Sequence, residues 1–250
     1  GYYALGTATS GGAFYQSVNE SQVAFSMAKE EMARYMMHRS PEGREEQQQA
    51  FQKAMALLKK TQEMINTQEN RASDALYKEN LSANSENIKQ YIEDFGALNT
   101  SEISLIAVEQ AMNDIMQTMT DTLEKDLWLV EDIINISKRL FADSVRYMLQ
   151  KQESVYQSIQ ALSQKQQEAV NKWMELVENS ESLSPIAQEL SRLSISFSES
   201  LVQYHEGNDM CNVILSRMDQ SQKEMQKLFS DLGQLTVGRM QIVEQRAKKI

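Results

Sequence analysis

"ARYMMHRSPEGREEQ", residues 33–47, is the stretch on which the reading of the fold turns. Its first half closes a seam. Phe14, Val18, Ser21, Phe25, Ala28, Met32 and Tyr35 recur at alternating steps of three and four, the spacing of one buried stripe on an α-helix. The same stepping reaches Arg39, which sets a cation on the apolar stripe. Ser40-Pro41-Glu42 then stops one helix and starts another. Ser is a favoured N-cap, Pro loses nothing at the first helical position, and Glu suits the positive end of the helix dipole. A second helix follows on Phe51, Met55, Leu58, Gln62 and Ile65 and gives out near Asn66–Asn70.

Outward from this break the pattern stays helical. A third helix is expected from near Ala72 to about Thr118, on Ile88, Tyr91, Phe95, Leu98, Leu105, Met112, Met116 and Met119. Gly96 and Asn99-Thr100-Ser101-Glu102 are candidates for a kink in its middle. A fourth runs from about Thr122 to Lys151 on Val130, Ile133, Ser137, Leu140, Ser144 and Tyr147. A fifth, through Ile159, Leu162, Gln166, Val170, Trp173 and Leu176, ends at Asn179-Ser180. Ser184-Pro185 repeats the cap-plus-proline start. The sixth and longest helix carries Ile186, Leu190, Leu193, Phe197, Tyr204, Cys211, Ile214, Met218, Met225, Leu228, Leu232 and Leu235, with Gly207 a possible kink.

The layout is a weak internal repeat. One constant shift carries Val18, Ser21, Ala28, Tyr35 and Arg39 onto Val130, Ile133, Leu140, Tyr147 and Lys151. "ENIKQYIEDFG" likewise matches "ESLVQYHEGN" and sets Tyr91 opposite Tyr204. Each half reads short helix, short helix, long helix. Two helices of about 25 residues laid end to end span about 75 Å, close to one long helix. The expectation is therefore all-α: six helices in two stacked four-helix bundles, an elongated rod sharing two long helices. One bundle takes about 1–39, 97–150 and 208–250. The other takes about 40–96 and 151–207. On this reading "HRSPEG" is the joint between the bundles.

Composition narrows the function. Nine Gly and two Pro among 250 residues favour helices over a sheet. A net charge of −10 makes nucleic acid an unsuitable partner. The single Cys211 forms no internal disulfide and leaves the redox compartment open. No apolar run of about 18 residues and no signal-peptide pattern occurs. The chain begins without Met, so it is expected to be a piece of a larger protein, cut from between two membrane spans. An even number of passes places both ends together. Arg239, Arg246, Lys248 and Lys249 make the C-terminal end basic, as a membrane-side collar or as cations favoured at a helix end.

Six helices with two interrupted passes and two continuous ones, together with the "RYM" and "QY" repeats, resemble the helical bimodular sensor domain of bacterial methyl-accepting chemotaxis receptors. The resemblance covers nearly the whole chain. It implies the periplasmic domain of an inner-membrane receptor that is not an enzyme. It also implies pairing as a homodimer through the long helices, and binding of small carboxylates between helices. Some sensor histidine kinases carry similar domains. The rival from another class is a structural or protein-interaction helical rod without a small-molecule ligand.

The candidate site rests on residue chemistry. Nucleotide-binding, zinc-protease and dithiol motifs are absent, and neither cofactor nor metal is implied. His38 and His205 lie near the expected joint but far apart in sequence, as surface or cap residues do. Cys211 on its stripe is a small core residue. Tyr35, Tyr91, Tyr147 and Tyr204 lie on seams, either packed with a satisfied hydroxyl or lining a polar pocket. Arginine matches a carboxylate with a two-pronged hydrogen bond. Arg39 points inward by phase and is the first choice of anchor, beside the new helix start. Arg34, Arg146, Arg192 and Arg217 flank seams. Their alternatives are exposure to solvent or pairing with a glutamate.

Overall fold

The computed structural model describes residues 2–125 and 130–249, with side chains described from residue 12 onward. Among the described residues six α-helices follow in order: α1 (Tyr2–Met37), α2 (Arg44–Arg71), α3 (Ala75–Leu123), α4 (Glu131–Gln150), α5 (Glu153–Leu176) and α6 (Ser184–Lys248). No strand occurs among the described residues. The expected start of the fourth helix near Thr122 differs, because α3 continues to Leu123. Residues 126–129 lie outside the described residues. Gly96 and Gly207 interrupt neither long helix.

The chain divides into two compact units, Gly1–Thr100 with Asn212–Ile250, and Ser101–Cys211. Each holds four helical segments. The first combines α1, α2, the start of α3 and the end of α6; the second combines the rest of α3, α4, α5 and the start of α6.

This corrects the expected boundaries. Residues 40–96 do not part from 1–39, nor 151–207 from 97–150. The break at Ser40 is a hairpin corner. Ser40 Oγ accepts the Gly43 N–H at 3.2 Å and caps a 3-10 turn over Pro41–Gly43. α2 then folds back along α1. The Tyr35 and Phe51 rings meet at 6.3 Å near the corner, and Gln68 Nε2 donates to Ser17 Oγ at 3.0 Å at the far end. The turn is tight: a Cβ on Gly43 would stand 2.9 Å from the His38 carbonyl oxygen. The second hairpin turns at Lys151, in the left-handed conformation at φ 55°, whose N–H donates to the Tyr147 carbonyl at 2.6 Å. Periodicity shows which face of a helix is buried, not which helix covers it.

The seams themselves are as expected on α3 and α4. Ile88, Tyr91, Phe95, Leu98, Leu105, Met112, Met116 and Met119 are all buried, as are Val130, Ile133, Ser137, Leu140, Ser144 and Tyr147. Full burial of one such large apolar side chain stabilises by about 1.5–3 kcal/mol. On α2 the buried line runs beside the expected one, through Gln47, Ala50, Ala54, Leu58, Thr61, Ile65 and Gln68. Small residues there let α1 and α2 approach closely, leaving Phe51 and Met55 half-buried at the edge. Leu176 is 83% exposed and does not belong to its stripe. The cap before α6 also differs: Ser180 Oγ, not Ser184, accepts a backbone N–H, that of Leu183, at 3.2 Å.

Polar side chains fix register inside each unit. In the second, Gln166 Nε2 donates to Ser137 Oγ at 2.8 Å and Gln166 Oε1 accepts from Ser194 Oγ at 3.0 Å, tying α5 to α4 and α6. In the first, Asn80, Asn87 and Asp94 recur at heptad spacing on α3. The two amides donate to the α6 carbonyls of Leu228 at 3.0 Å and Ser221 at 2.7 Å, and Asp94 accepts from Arg217 at 3.2 Å. Such contacts penalise slipped helix pairings, because a shift would strand buried polar groups.

Candidate functional site

Within the first unit, α1, α3 and α6 enclose a half-open cavity of 310 Å³. Its walls are set by the seams. The α3 step of three and four brings Tyr91, Phe95 and Leu98 to it, and α1 contributes Met32, Tyr35 and Met36. Leu215, Met218 and Gln222 on α6 close the third side. Tyr91 is only 1% exposed. Its hydroxyl lies 3.1 Å from Met32 Sδ and 3.4 Å from Gln222 Oε1. A thioether is a weak acceptor and 3.4 Å is long, so this buried donor is poorly served.

The charged lining residues are one of each sign, Lys29 from α1 and Asp219 from α6. The Lys29 ammonium stands 5.5 Å from the centre of the Phe25 ring, and Asp219 Oδ2 is 3.0 Å from Lys223 Nζ at the surface. Burial pushes the Tyr91 hydroxyl well above its ordinary pKa, and the Asp219 carboxylate adds to the shift. Tyr91 therefore presents a neutral O–H to the cavity. Apolar walls with a few convergent polar groups are the usual make-up of a small-molecule site.

The expected site residues separate into several places. Tyr35 and Tyr91 line this cavity. Tyr147 and Tyr204 pack edge to face at 5.7 Å in the second unit. Three of the arginines are exposed beside a carboxylate of their own helix. Arg34 lies 2.9 Å from Glu31, Arg146 3.5 Å from Asp143, and Arg192 donates through Nε to Glu189 at 2.9 Å. Each pair is spaced i,i+3 on its own helix, and each arginine is more than half exposed. The Arg192 hydrogen bonds hold the Glu189 carboxyl below its ordinary pKa. Arg217 reaches from α6 to the buried Asp94 while remaining 55% exposed itself. Arg39 is half-buried in the corner after α1, its Nε and Nη2 shielded from solvent and its side chain engaged by its surroundings.

A second constellation lies in the second unit, around His205. Its Nδ1 shares a 2.9 Å hydrogen bond with the Tyr147 hydroxyl, and its ring stacks on Tyr156 at 3.6 Å and 4°. Nε2 sits 3.5 Å from both Glu153 Oε2 and Asp209 Oδ2. Tyr204 donates to the Met148 carbonyl at 3.3 Å. Burial, then the nearby carboxylates, push the Tyr147 and Tyr156 hydroxyls upward. His38 is in the other unit, so the two histidines form no common site within either one. Among the described residues no group of three or more His, Cys, Asp or Glu is placed to hold a metal.

Sequence reasoning did not single out Lys29, Asp219 and Gln222, nor Tyr156, Glu153 and Asp209 beside His205. Asp219 and Gln222 lie a helical step apart, as do His205 and Asp209. Only the helix pairing reveals what each step faces. No family model and no curated protein sequence matches the chain.

Proposed function

We propose that this chain is the ligand-binding sensor domain of a transmembrane chemoreceptor, periplasmic and non-enzymatic, which takes a small organic acid into the cavity between α1, α3 and α6. The observation that carries the reading is the cavity itself: a poorly bonded buried Tyr91 hydroxyl and a lysine line an apolar hollow contacted by three helices. Ligand bound there bears on α1 and α6 at once, so occupancy biases their relative position. A ligand shifts such an equilibrium only through a difference in affinity between two arrangements. α3 and α6, unbroken, each supply both four-helix units, and we propose that the units stack as a rod along which displacement passes.

Pairing of two copies through the long helices belongs to the same proposal. Ile195, Val202, Met210 and Val213 give α6 exposed apolar surface for it. Flanking membrane spans would lie outside this sequence; among the described residues no helix is long and apolar enough to cross a membrane. The same construction serves a sensor histidine kinase, and the linked signalling segment distinguishes the two.

A thermal-shift screen of small organic acids tests the reading. Ligand at about one hundred times its dissociation constant adds about 2.7 kcal/mol, which raises Tm by about 5–10 °C in a domain of this size. Lys29→Gln and Tyr91→Phe should each abolish most of that gain. Failure of every acid to shift Tm would favour an interaction rod without a small-molecule ligand.

A further inference from the structure

We infer that the cavity between α1, α3 and α6 takes a zwitterion, an α-amino acid with an apolar side chain, in preference to a dicarboxylate or a simple carboxylic acid. This rests on the sensor reading above and narrows its ligand. The charged residues lining the cavity are Lys29 and Asp219, on different helices, and Asp219 also meets the Lys223 ammonium at 3.0 Å at the surface. A ligand carboxylate is matched by Lys29 and by the O–H of Tyr91, which now has only a thioether at 3.1 Å and an amide oxygen at 3.4 Å. A ligand ammonium is matched by Asp219 and by the Gln222 Oε1 that this hydroxyl would release. Charge-assisted hydrogen bonds of this kind are roughly twice as strong as neutral ones.

The competing ligand classes fit less well. A dicarboxylate brings its second negative group to a wall whose other charged lining residue is Asp219, and like charges repel. A simple acid satisfies Lys29 and Tyr91 but offers no donor to Asp219 and Gln222. An amine without a carboxylate leaves Lys29 facing an apolar chain. The rest of the wall is Met32, Ala33, Met36, Leu98, Leu215 and Met218 beside aromatic rings, which calls for an apolar side chain. Methionine adapts its shape, so several branched or unbranched side chains would be accepted.

The experiment uses three matched probes on the whole chain: L-leucine, 4-methylpentanoate, which lacks the ammonium, and isopentylamine, which lacks the carboxylate. Calorimetry and thermal shift are read for each, with succinate as the dicarboxylate. The expected result is binding of L-leucine at least tenfold tighter than any of the other three. Asp219→Asn, at a surface-exposed position, should weaken L-leucine by about tenfold and leave 4-methylpentanoate unchanged. Equal binding of L-leucine and 4-methylpentanoate, or preference for succinate, overturns the zwitterion and leaves the acid sensor standing. Binding of isopentylamine alone, or of no probe together with no organic acid, overturns both. Tyr91→Phe keeps the ring in the core and should lower affinity for L-leucine and 4-methylpentanoate alike; unchanged affinity places the carboxylate elsewhere and rejects the proposed pose.

Discussion

Tyr35 and Tyr147 are carried onto one another by the same shift in sequence, end the first helix of their hairpins, and are 0% and 1% exposed, yet their hydroxyls meet different chemistry. Tyr35 donates to Asn99 Oδ1 at 3.1 Å, beside a reciprocal amide pair in which Gln48 and Asn99 bond at 2.9 and 3.1 Å. Tyr147 bonds an imidazole that faces two carboxylates. The first corner offers neutral amides, whereas in the second the imidazole stands beside two acidic side chains. Identical packing positions thus build one corner around neutral amides and another around an imidazole and two carboxylates. The ring supplies the packing in both, and the partner decides what the corner responds to.

The largest expected effect tests the packing half of that comparison. Tyr35→Ala and Tyr147→Ala should each cost about 3–5 kcal/mol, the range for deleting a large buried aromatic side chain. Denaturant unfolding measures it. Tyr35 packs on Phe95 at 5.3 Å and Phe51 at 6.3 Å, and Tyr147 on Tyr156 at 5.6 Å and Tyr204 at 5.7 Å, so the two losses should be similar. A cost below about 1 kcal/mol at either site would break the equivalence.

How much of this was legible in the sequence follows from the physics of a stripe. Ser40-Pro41-Glu42 marked the first break, and the steps of three and four marked out six helices and put Tyr35, Tyr91, Tyr147 and Tyr204 on their seams. They left open whether the chain continues or reverses at each break, because a stacked joint and a hairpin bury the same face. The reversal depends on short-range details: the absent Cβ of Gly43 against His38, and the left-handed Lys151. The arginines carried a readable signal that phase alone obscured. Glu31, Asp143 and Glu189 stand three residues before Arg34, Arg146 and Arg192, and an i,i+3 acid on an exposed face is the simplest partner for each. Lys29 and Asp219 face one cavity only because α1 lies beside α6.

An alkaline titration sharpens the chemical half of the comparison. Burial, reinforced by Glu153 and Asp209, raises the Tyr147 pKa from its ordinary 10.0, and Tyr156 shifts the same way. The neutral phenol is thus the form the fold prefers. The stability this confers is complete below pH about 10 and is lost as pH rises, because the unfolded chain ionises first. Each such tyrosine adds a slope of about 1.4 kcal/mol per pH unit in that window. Tyrosinate absorbance should lag behind that of free tyrosine and then jump with unfolding. Tyr147→Phe should flatten the alkaline loss of stability. An unchanged slope in that variant would mean that the carboxylate-lined corner does not govern the titration.

The smallest effects lie in the two turns, and their signs should be opposite. Gly43→Ala forces a Cβ to 2.9 Å from the His38 carbonyl oxygen, with backbone rather than a flexible side chain as the obstacle, so the corner must open. Overpacking of this kind costs about 1–3 kcal/mol. Lys151 is the reverse case. At φ 55° and ψ 36° it is the non-glycine residue with positive φ among the described residues, and it ends α4. An L side chain in that conformation costs about 1 kcal/mol relative to glycine, so Lys151→Gly relieves strain there. Two terms oppose the gain: glycine enlarges the freedom of the unfolded chain, and the contacts Lys151 makes are lost. The net should still be stabilising, by about 0.5 kcal/mol, which paired denaturant curves resolve. A net loss in Lys151→Gly would show that the lysine side chain anchors the second corner more strongly than its backbone strains it. The difference between the hairpins would then extend from the hydroxyl partners to the turns themselves.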